Sequence, residues 1–503
     1  MKTIIKLLAS FSVCVLPTAA TVAQDTLPTR VSYVLTAESA VGTGAHTAYQ
    51  LVTNRHHILS VRPNTAYFRG AVSIEHSLAK DAVLSGCIDA VASVHADHRA
   101  YLQQCYANLS YKSVFLEIGA REEAPVLRDA ELSSGAFAKG NNAKPVPQVH
   151  VGTKGFVDIP FTGGWLQANF DGGYGMFLDG DYRERAFHQA ERANFMYTTG
   201  IGYHQKHLFF RSNPTKPVFV TVGIEHVVQF AGTKHDYSNR QAPVTIDKPL
   251  SLKAMWNVIL PIGDKKYFEN DASEDWVYGN HLGSMTVQVG WNIDKDYQLQ
   301  AYLDNLFEDG SGIRKSNGWD GLWGLQYHNK KSGKQLVRRA VAEYFQTTNQ
   351  SGPLHWDGGD YPEPARSQIT DFVVGKDNYY YHTFYGCYSH YGMVMGSALL
   401  TSPVYNANGY TGVIDNRVKA WHLGVCGELS DRISYIAKGS YREGWGTYDL
   451  PLSRKHYSFD AMLGGTYTTG PWQFGASYAF DKGNIYGDCS SFNFNIRYHG
   501  KIL

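Results

Sequence analysis

The sequence predicts an all-β protein, a transmembrane antiparallel β-barrel of about 18 strands with long extracellular loops. Three observations support this fold class. Many segments alternate apolar and polar residues, and an export signal begins the chain. After that signal, no apolar run approaches the ~20 residues that a membrane-spanning helix needs. A barrel crosses lipid without such helices because its backbone groups pair between neighbouring strands.

The composition agrees with a large antiparallel β protein. Of the 503 residues, 14% are aromatic, only 18% are charged, and 50 are glycine. A secreted β-sandwich or propeller would have a similar composition, so the strand pattern has to distinguish these alternatives. The 46 basic and 45 acidic side chains nearly balance, which argues against nucleic acid as a partner.

Residues 1–23 are predicted to be a signal peptide. Lys2 and Lys6 supply the positive start, residues 7–16 the apolar stretch, and residues 21–23 the small-residue cleavage site. Residues 24–503 would then form one outer-membrane barrel domain. The cysteines that remain after cleavage are odd in number and widely spaced, which argues against a disulfide framework and against a metal cluster.

Residues 283–307 show the alternating pattern most clearly. Two segments flank the polar turn at residues 293–296, and each has one apolar face and one polar face. The pattern predicts an antiparallel hairpin. The apolar residues are Met285, Val287, Val289 and Trp291 in the first segment, and Tyr297, Leu299, Ala301 and Leu303 in the second.

In the first half of the chain, the same period recurs between longer connections. Residues 78–108 are rich in alanine and leucine, and a helix is the alternative there, but Ile88 and Asp89 begin an alternation that favours strands. A short helix is expected within residues 179–192. Residues 122–148 and 231–280 are long polar connections, of the kind that is usually functional or mobile. Further strands are expected at residues 30–35, 66–76, 165–176, 202–210 and 218–225.

The second half ends in a regular series of strands. A second long loop spans residues 349–377, and the tyrosine-rich and glycine-rich residues 377–410 either fold inward or lie over a rim. Aromatic residues are frequent at strand ends, where the girdles of a membrane barrel lie. The strands are expected at residues 321–328, 336–345, 417–428, 432–441, 457–468, 472–480 and 490–498.

Few patterns in the sequence point to catalysis. It has no nucleophile elbow, no zinc-protease motif and no phosphate loop. Asp357, Asp360 and Glu363 lie close together as a possible hydrolase pair, but a solvated acidic loop explains them better. The scattered histidines are expected to be lumen or surface residues, so we expect no enzyme activity, no metal and no cofactor.

Several loops combine flat aromatic rings with planar polar groups, a mixture that binds sugars. Rings stack on the C–H faces of a sugar, while carboxylates and amides bind its hydroxyls. The alternative is that these rings belong to an aromatic girdle or to loop packing. The stretches concerned are residues 356–361, 377–381 and 445–448.

An ordered set of short strings resembles the capsule-assembly Wzi family, in the branch found in Bacteroides-like Gram-negative bacteria. Each string is weak alone, but their order and spacing match over nearly all of the mature chain. The strings are Asn54-Arg55, residues 133–135, 144–148, 279–283, 307–309, 318–321, 350–353 and 377–380, Asn416-Arg417 and residues 444–448.

The resemblance implies an outer-membrane barrel with an obstructed lumen that acts as a lectin for capsular or extracellular polysaccharide. The sequence departs from the family in two respects. We predict strands near the N-terminus where enteric members have a periplasmic helical bundle, so the lumen plug is in doubt. The chain also ends on Ile502-Leu503 rather than on the terminal aromatic residue usual in barrels.

We therefore expect a non-catalytic barrel in the outer membrane that holds polysaccharide at the cell surface through many weak contacts. A porin or substrate-specific channel is the alternative function. Outer-membrane lipid and the polysaccharide export machinery are the other expected partners. The residues expected to contact polysaccharide are Trp356, Asp357, Tyr379, Tyr380, Arg417, Trp445 and Tyr448.

Overall fold

Eighteen antiparallel strands close into one barrel, as the sequence predicted. The computed structural model describes residues 29–260, 277–308, 310–313, 315, 317–350, 378–448 and 450–503. The predicted signal peptide lies outside these ranges. The barrel strands β1 to β18 are, in order, Thr29–Thr43, Thr65–Ala79, Ala82–Val94, Ala100–Tyr111, Val114–Ala120, Gln148–Thr153, Leu166–Met176, Gly202–Ser212, Val218–Phe230, Asn280–Asn292, Tyr297–Phe307, Gly321–Asn329, Arg339–Gln346, Val418–Ser430, Ile433–Gly446, Pro451–Thr469, Trp472–Gly483 and Cys489–Lys501.

Other elements are short and lie between the barrel strands. The described residues contain four helices, α1 (Tyr49–Val52), α2 (Gly180–Gln189), α3 (Leu252–Asn257) and α4 (Gly310–Ile313), and a 3₁₀ turn at Pro403–Tyr405. Among the described residues, none of the helices is long and apolar enough to cross a bilayer. The additional strands are Val157–Asp158, Met196–Thr199, Gly232–Asp236, Val244–Lys248, Tyr381–His382, Gly386–Cys387, Ser389–His390 and Met393–Val394.

Each strand pairs with its neighbours in the chain, and the ring closes where β1 pairs with β18 from Ser32↔Lys501 to Thr43↔Ser490. One end of the barrel has short turns, such as residues 112–113 and 470–471, and the other has long connections, such as residues 177–201. Because outer-membrane barrels have short periplasmic turns and long extracellular loops, the end with the long connections is extracellular.

The two faces of the strands follow the predicted alternation. In the central hairpin, β10 pairs with β11 as expected, with Val287 opposite Leu303. Val287 is 49% exposed on the outer face, whereas its neighbours Thr286 and Gln288 are buried on the inner face. The strands expected within residues 78–108 are also confirmed, with Ile88 outside and Asp89 inside.

The sequence missed β5 and β6, which flank the long polar connection. Both are short, at 7 and 6 residues, and their inner faces carry the charged Glu117 and the polar His150. The predicted first strand was too short, because β1 continues from Thr29 to Thr43. The helix expected within residues 179–192 is α2.

The polar inner wall does not face an open, water-filled channel along its whole length. Three segments fold into the lumen, and we call them together the plug: residues 44–64, 121–147 and 378–416. The rings of Phe137 and Tyr380 lie 5.0 Å apart, and the ring of Tyr49 stacks on that of Tyr486 at 4.9 Å. The tyrosine-rich residues 378–405 therefore fold inward, which decides between the two alternatives.

Inner-wall side chains bind the plug by hydrogen bonds. Glu343 of β13 accepts a hydrogen bond from the Ser133 hydroxyl (2.7 Å) and another from the Ser134 N–H (2.7 Å). Arg442 of β15, which is fully buried, donates to the Leu399 carbonyl oxygen (2.8 Å). Since a buried polar group without a partner is costly, these bonds allow a polar wall to enclose a packed core.

We expect the Tyr380→Ala substitution to loosen the plug while the strand pairing of the barrel wall stays intact. The Tyr380 hydroxyl donates to the Phe137 carbonyl (2.5 Å) and accepts from the Ser397 N–H (2.7 Å). Loss of a buried aromatic ring costs about 3–5 kcal/mol, so the near-UV circular dichroism of the plug should melt at lower temperature. Tyr380→Phe is the matched control and should cost less, about 1–3 kcal/mol. Equal melting of both variants and the parent would contradict this role.

The stability of the plug should also depend on pH through two carboxyl groups at its edge. Burial raises the pKa of Asp415 to about 7 and that of Asp320 to about 7, although backbone N–H groups partly oppose the shift. An unfolded aspartate titrates near ~3.9. The folded state therefore holds these protons more tightly, and their stabilising contribution is lost as the pH rises from about 4 to about 7.

Asp415→Asn keeps a hydrogen-bond acceptor but carries no charge, so it should reduce the fall in melting temperature between pH 5 and pH 8. Asp81→Asn changes an exposed turn at the opposite end and serves as the control. A melting profile with the same pH dependence in the parent and Asp415→Asn would rule out this contribution of Asp415.

Candidate functional site

Three residues that the sequence singled out come together at the extracellular rim. The Arg417 guanidinium carbon lies 4.3 Å from the ring centroid of Tyr448, and the Trp445 N–H donates to the Arg417 carbonyl oxygen (3.0 Å). The Lys419 ammonium lies 5.8 Å from the Trp445 ring. We call Arg417, Lys419, Trp445 and Tyr448 the rim cluster.

A buried carboxylate and two glycines shape the turn beneath the rim cluster. The Gly446 N–H donates to Asp415 Oδ1 (2.9 Å), and the backbone of Gly446 has φ +80°, a conformation that favours glycine. At Gly444, a Cβ atom would lie only 1.7 Å from Asp415 Oδ2. The two glycines are therefore needed for the turn that presents Trp445 and Tyr448.

The rim cluster faces outward and continues an aromatic girdle. Along β14, the outward residues after Lys419 include Trp421, whose ring contacts that of Tyr344 at 4.5 Å. Trp445 lies on the outward face of β15, since its neighbour Gly444 faces Asp415 inside. This placement agrees with the girdle interpretation of Trp445, because aromatic side chains are typical of the level where lipid meets water.

The other four predicted contact residues are not part of this cluster. Tyr379 and Tyr380 are 1% and 0% exposed in the core of the plug, so neither ring reaches the surface. Trp356 and Asp357 lie outside the described residues. The sequence identified the tyrosine-rich segment as important. A dense run of tyrosines does not by itself show whether the side chains will be buried or exposed.

A cleft that the sequence analysis did not identify opens at the extracellular mouth, where the connection between β7 and β8 meets the plug. We call it the mouth cleft. Its cavity volume is about 40 Å³, and five tyrosines line it among polar groups; of these, Tyr197 and Tyr385 are buried. Its lining comprises Asp179, Tyr182, Arg183, Asn194, Phe195, Met196, Tyr197, Thr198, Tyr381, Tyr385, Gly386, Cys387, Ser389, Gly392, Pro403, Tyr410, Thr411 and Gly412.

An ion pair at the start of α2 fixes one side of the mouth cleft. Arg183 Nε donates to Asp179 Oδ1 (2.8 Å), and another guanidinium nitrogen donates to the Ser389 carbonyl oxygen (2.5 Å). The second carboxylate oxygen of Asp179 accepts from the Tyr391 N–H (3.0 Å). These bonds hold α2 against the plug, so the positions of the lining rings are set before any ligand binds.

An asparagine fixes the other side. Asn194 donates to the Gly409 carbonyl oxygen (3.0 Å) and accepts from both the N–H and the hydroxyl of Thr411 (2.8 Å each). Gly392 has φ +74°, and a Cβ atom there would lie 2.2 Å from the Tyr182 hydroxyl oxygen. Burial raises the pKa of Tyr182, so its hydroxyl stays protonated and can donate a hydrogen bond at physiological pH.

Below the plug, the lumen contains a cavity of about 520 Å³ with charged walls. Glu117, Glu123 and His150 bring three potential metal ligands within 4.8 Å of one another there. All three are already paired with other charged groups, so an ion-pair network that joins residues 121–147 to the wall accounts for them. The pairs are Arg121–Glu117 (2.7 Å), Lys139–Glu123 (2.5 Å) and Asp171–His150 (2.7 Å).

Comparisons with known proteins identify the fold and no family. No protein-family model matches the chain, and no curated protein matches it in sequence. Among solved structures, the chain is similar to Wzi, an outer-membrane protein involved in group 1 capsule assembly in Escherichia coli and a carbohydrate-binding β-barrel. That match has a TM-score of 0.54 and 9% identity, and it covers 92% of this chain and 83% of that one.

Other solved structures match with lower TM-scores. OprD from Pseudomonas aeruginosa matches with a TM-score of 0.45 and 8% identity over 95% of this chain and 96% of that one. OccAB2 from Acinetobacter baumannii matches with a TM-score of 0.46 and 9% identity over 94% and 98%. With identities this low, the likenesses bear on the fold alone. The chain is an 18-stranded β-barrel of the outer membrane.

Proposed function

We propose that this barrel binds capsular or extracellular polysaccharide at the cell surface and does so without chemical turnover. The observation that carries the proposal is the mouth cleft, where tyrosine rings and polar groups are held together at the extracellular end of the barrel. A polymer that lies across the cleft can make a weak contact with each successive sugar ring, and these contacts add along the chain.

The likeness to a carbohydrate-binding barrel agrees with this proposal, as do the resemblances in the sequence. The rim cluster offers a second group of rings and cations beside the mouth. We place it second, because its outward orientation is equally explained by contact with the lipid headgroups. Tyr379 and Tyr380 are left out of the proposed binding surface, since both are buried.

Truncation of cleft rings should weaken polysaccharide binding. A single stacking ring contributes about 0.5–1.5 kcal/mol, so Tyr182→Ala or Tyr410→Ala should lower affinity for purified surface polysaccharide roughly two- to tenfold. Biolayer interferometry with immobilised barrel can measure this. Trp291→Ala is the control, because Trp291 lies on the lipid face near the periplasmic end. Equal losses in all three variants would contradict a specific role for the cleft.

Arg417→Ala and Trp445→Ala then separate the two surfaces. If the rim cluster belongs to the girdle, these variants should keep polysaccharide affinity within about twofold and lower only the melting temperature of the barrel in bilayers. A larger loss of affinity there than at Tyr182 would move the binding surface to the rim.

A porin or substrate-specific channel is the second candidate function, and the cavity of about 520 Å³ below the plug favours it. Planar-bilayer recordings distinguish the two functions. We expect little conductance from the parent, because the plug occupies the lumen in the described part of the chain, and larger openings from Tyr380→Ala. Steady large openings in the parent would favour the channel, and released sugar products would favour an enzyme.

A further inference from the structure

Part of the outer wall is covered by the chain itself. Along β9, the outward residues Val222 and Ile224 are exposed, as expected of a surface that faces lipid. The next outward residues toward the extracellular end, His226, Val228 and Phe230, are buried. No other part of a single-layer barrel lies on the outer side of an outward side chain. The burial of these three side chains therefore requires a segment that covers them from outside the barrel.

The covered area contains polar as well as apolar side chains, unlike the wall below it. His226 and His281 share a hydrogen bond between Nε2 and Nδ1 (2.9 Å), and both side chains face outward on β9 and β10. On β8, the Lys206 ammonium donates to His204 Nε2 (3.2 Å), while the next outward residue, Leu208, is exposed. The boundary between apolar and polar outer wall therefore falls between Leu208 and Lys206, where the hydrocarbon of the bilayer gives way to headgroups.

The cover is α3 and the turn that follows it. Ala254 and Val258 pack on Val228 and Phe230 of the outer wall. The Tyr174 hydroxyl donates to the Met255 carbonyl oxygen (2.8 Å). At the N-terminus of α3, the Ser251 hydroxyl accepts from the Ala254 N–H (3.1 Å), which starts the helix at this position.

The opposite face of α3 is strongly apolar and has no protein over it among the described residues. Leu252 and Trp256 are 85% and 74% exposed, and they lie one helical turn apart on the same face. An apolar face directed away from the barrel at the boundary of the bilayer is the arrangement of an interfacial helix. We propose that α3 is an interfacial anchor, whose Leu252 and Trp256 side chains insert into the outer leaflet of the membrane.

Outer-leaflet lipid is the occupant that the geometry favours over a second protein copy. The turn after α3 lies beside the lipid-facing wall, since the Lys206 ammonium donates to the Val258 carbonyl oxygen (3.5 Å) and the next outward residue on β8, Leu208, is exposed. A leucine and a tryptophan at this depth match the preference of these side chains for the acyl chains and the interface.

A small sheet of three strands connects α3 to the mouth cleft. The strand Val244–Lys248 ends four residues before α3 and pairs with Gly232–Asp236. That strand pairs with Met196–Thr199, which lines the mouth cleft. An α3 held in the leaflet would therefore fix one wall of the cleft at a constant height above the membrane. The anchoring itself does not depend on what the cleft binds.

Cysteine labelling tests the proposal. In a Cys105→Ser background, which removes the exposed native thiol, Leu252→Cys and Gln241→Cys place thiols on the α3 face and on an exposed turn. In lipid nanodiscs that hold one barrel each, a charged maleimide should label position 252 at least about tenfold more slowly than position 241. Equal rates would overturn the proposal. Trp256→Cys provides a second position if Leu252→Cys does not fold.

The same variants distinguish lipid from a second copy. Protection of position 252 that persists in single-barrel nanodiscs cannot come from a second copy. Protection that is seen only in vesicles at high protein density, or a disulfide between copies through position 252, would overturn the lipid assignment. Fluorescence quenching by brominated lipid is an independent readout. The contribution of Trp256 is the difference in fluorescence between the parent and Trp256→Phe. Brominated lipid should quench this contribution, and a contribution that is not quenched would count against insertion.

Discussion

The pairing of β1 with β18 is the constraint on which the rest of the molecule depends. In hydrocarbon, the N–H and carbonyl groups of an open sheet edge have no water to bind, so the first and last strands must find each other. Closure gives each strand a neighbour on both sides and separates one face of the sheet from the other. The inner face then becomes a wall of fixed circumference, against which other parts of the chain can pack.

Acidic and basic side chains on that wall determine how it is filled. Glu343, Asp481 and Arg442 project from three different strands, and each binds backbone groups of a different plug segment. A backbone group brought out of water needs a partner, and a charged wall supplies partners at spaced positions. The polar inner face of the barrel therefore offers hydrogen-bond partners that match the groups of the plug, and does not serve only to be hydrated.

Local periodicity made the strands predictable. The alternation around Ile88 and Asp89 assigns each residue to a face without any knowledge of distant partners, and pairing of neighbouring strands follows from short turns. Strands β5 and β6 were not predicted, because each is short and the polar residues of its inner face leave few apolar residues to form a pattern. The cover formed by α3 was not predicted, because α3 lies within residues 231–280, which the sequence shows only as a long polar connection.

The residue pattern alone did not predict which segments form the plug or the mouth cleft, although the family resemblance implied an obstructed lumen. A polar inner face is compatible with a water-filled lumen and with a plugged one, and only contacts decide between them. Tyr380 binds Phe137, which is 243 residues away, and Arg183 binds Ser389, which is 206 residues away. The rim cluster was partly predictable because Trp445 and Tyr448 are close in sequence, whereas Arg417 joins them only through the pairing of β14 with β15.

The position of the first plug segment imposes an order of assembly. Residues 44–64 follow the first strand, yet Gln50 donates to Asp460 (2.6 Å), 410 residues later, and the Tyr49 N–H donates to Asp481 (3.0 Å), 432 residues later. These acceptors exist in their native geometry only after β16 and β17 are in place. The segment must therefore stay solvated while most of the barrel inserts. The core of the lumen packs last, after the membrane-spanning wall that encloses it has formed.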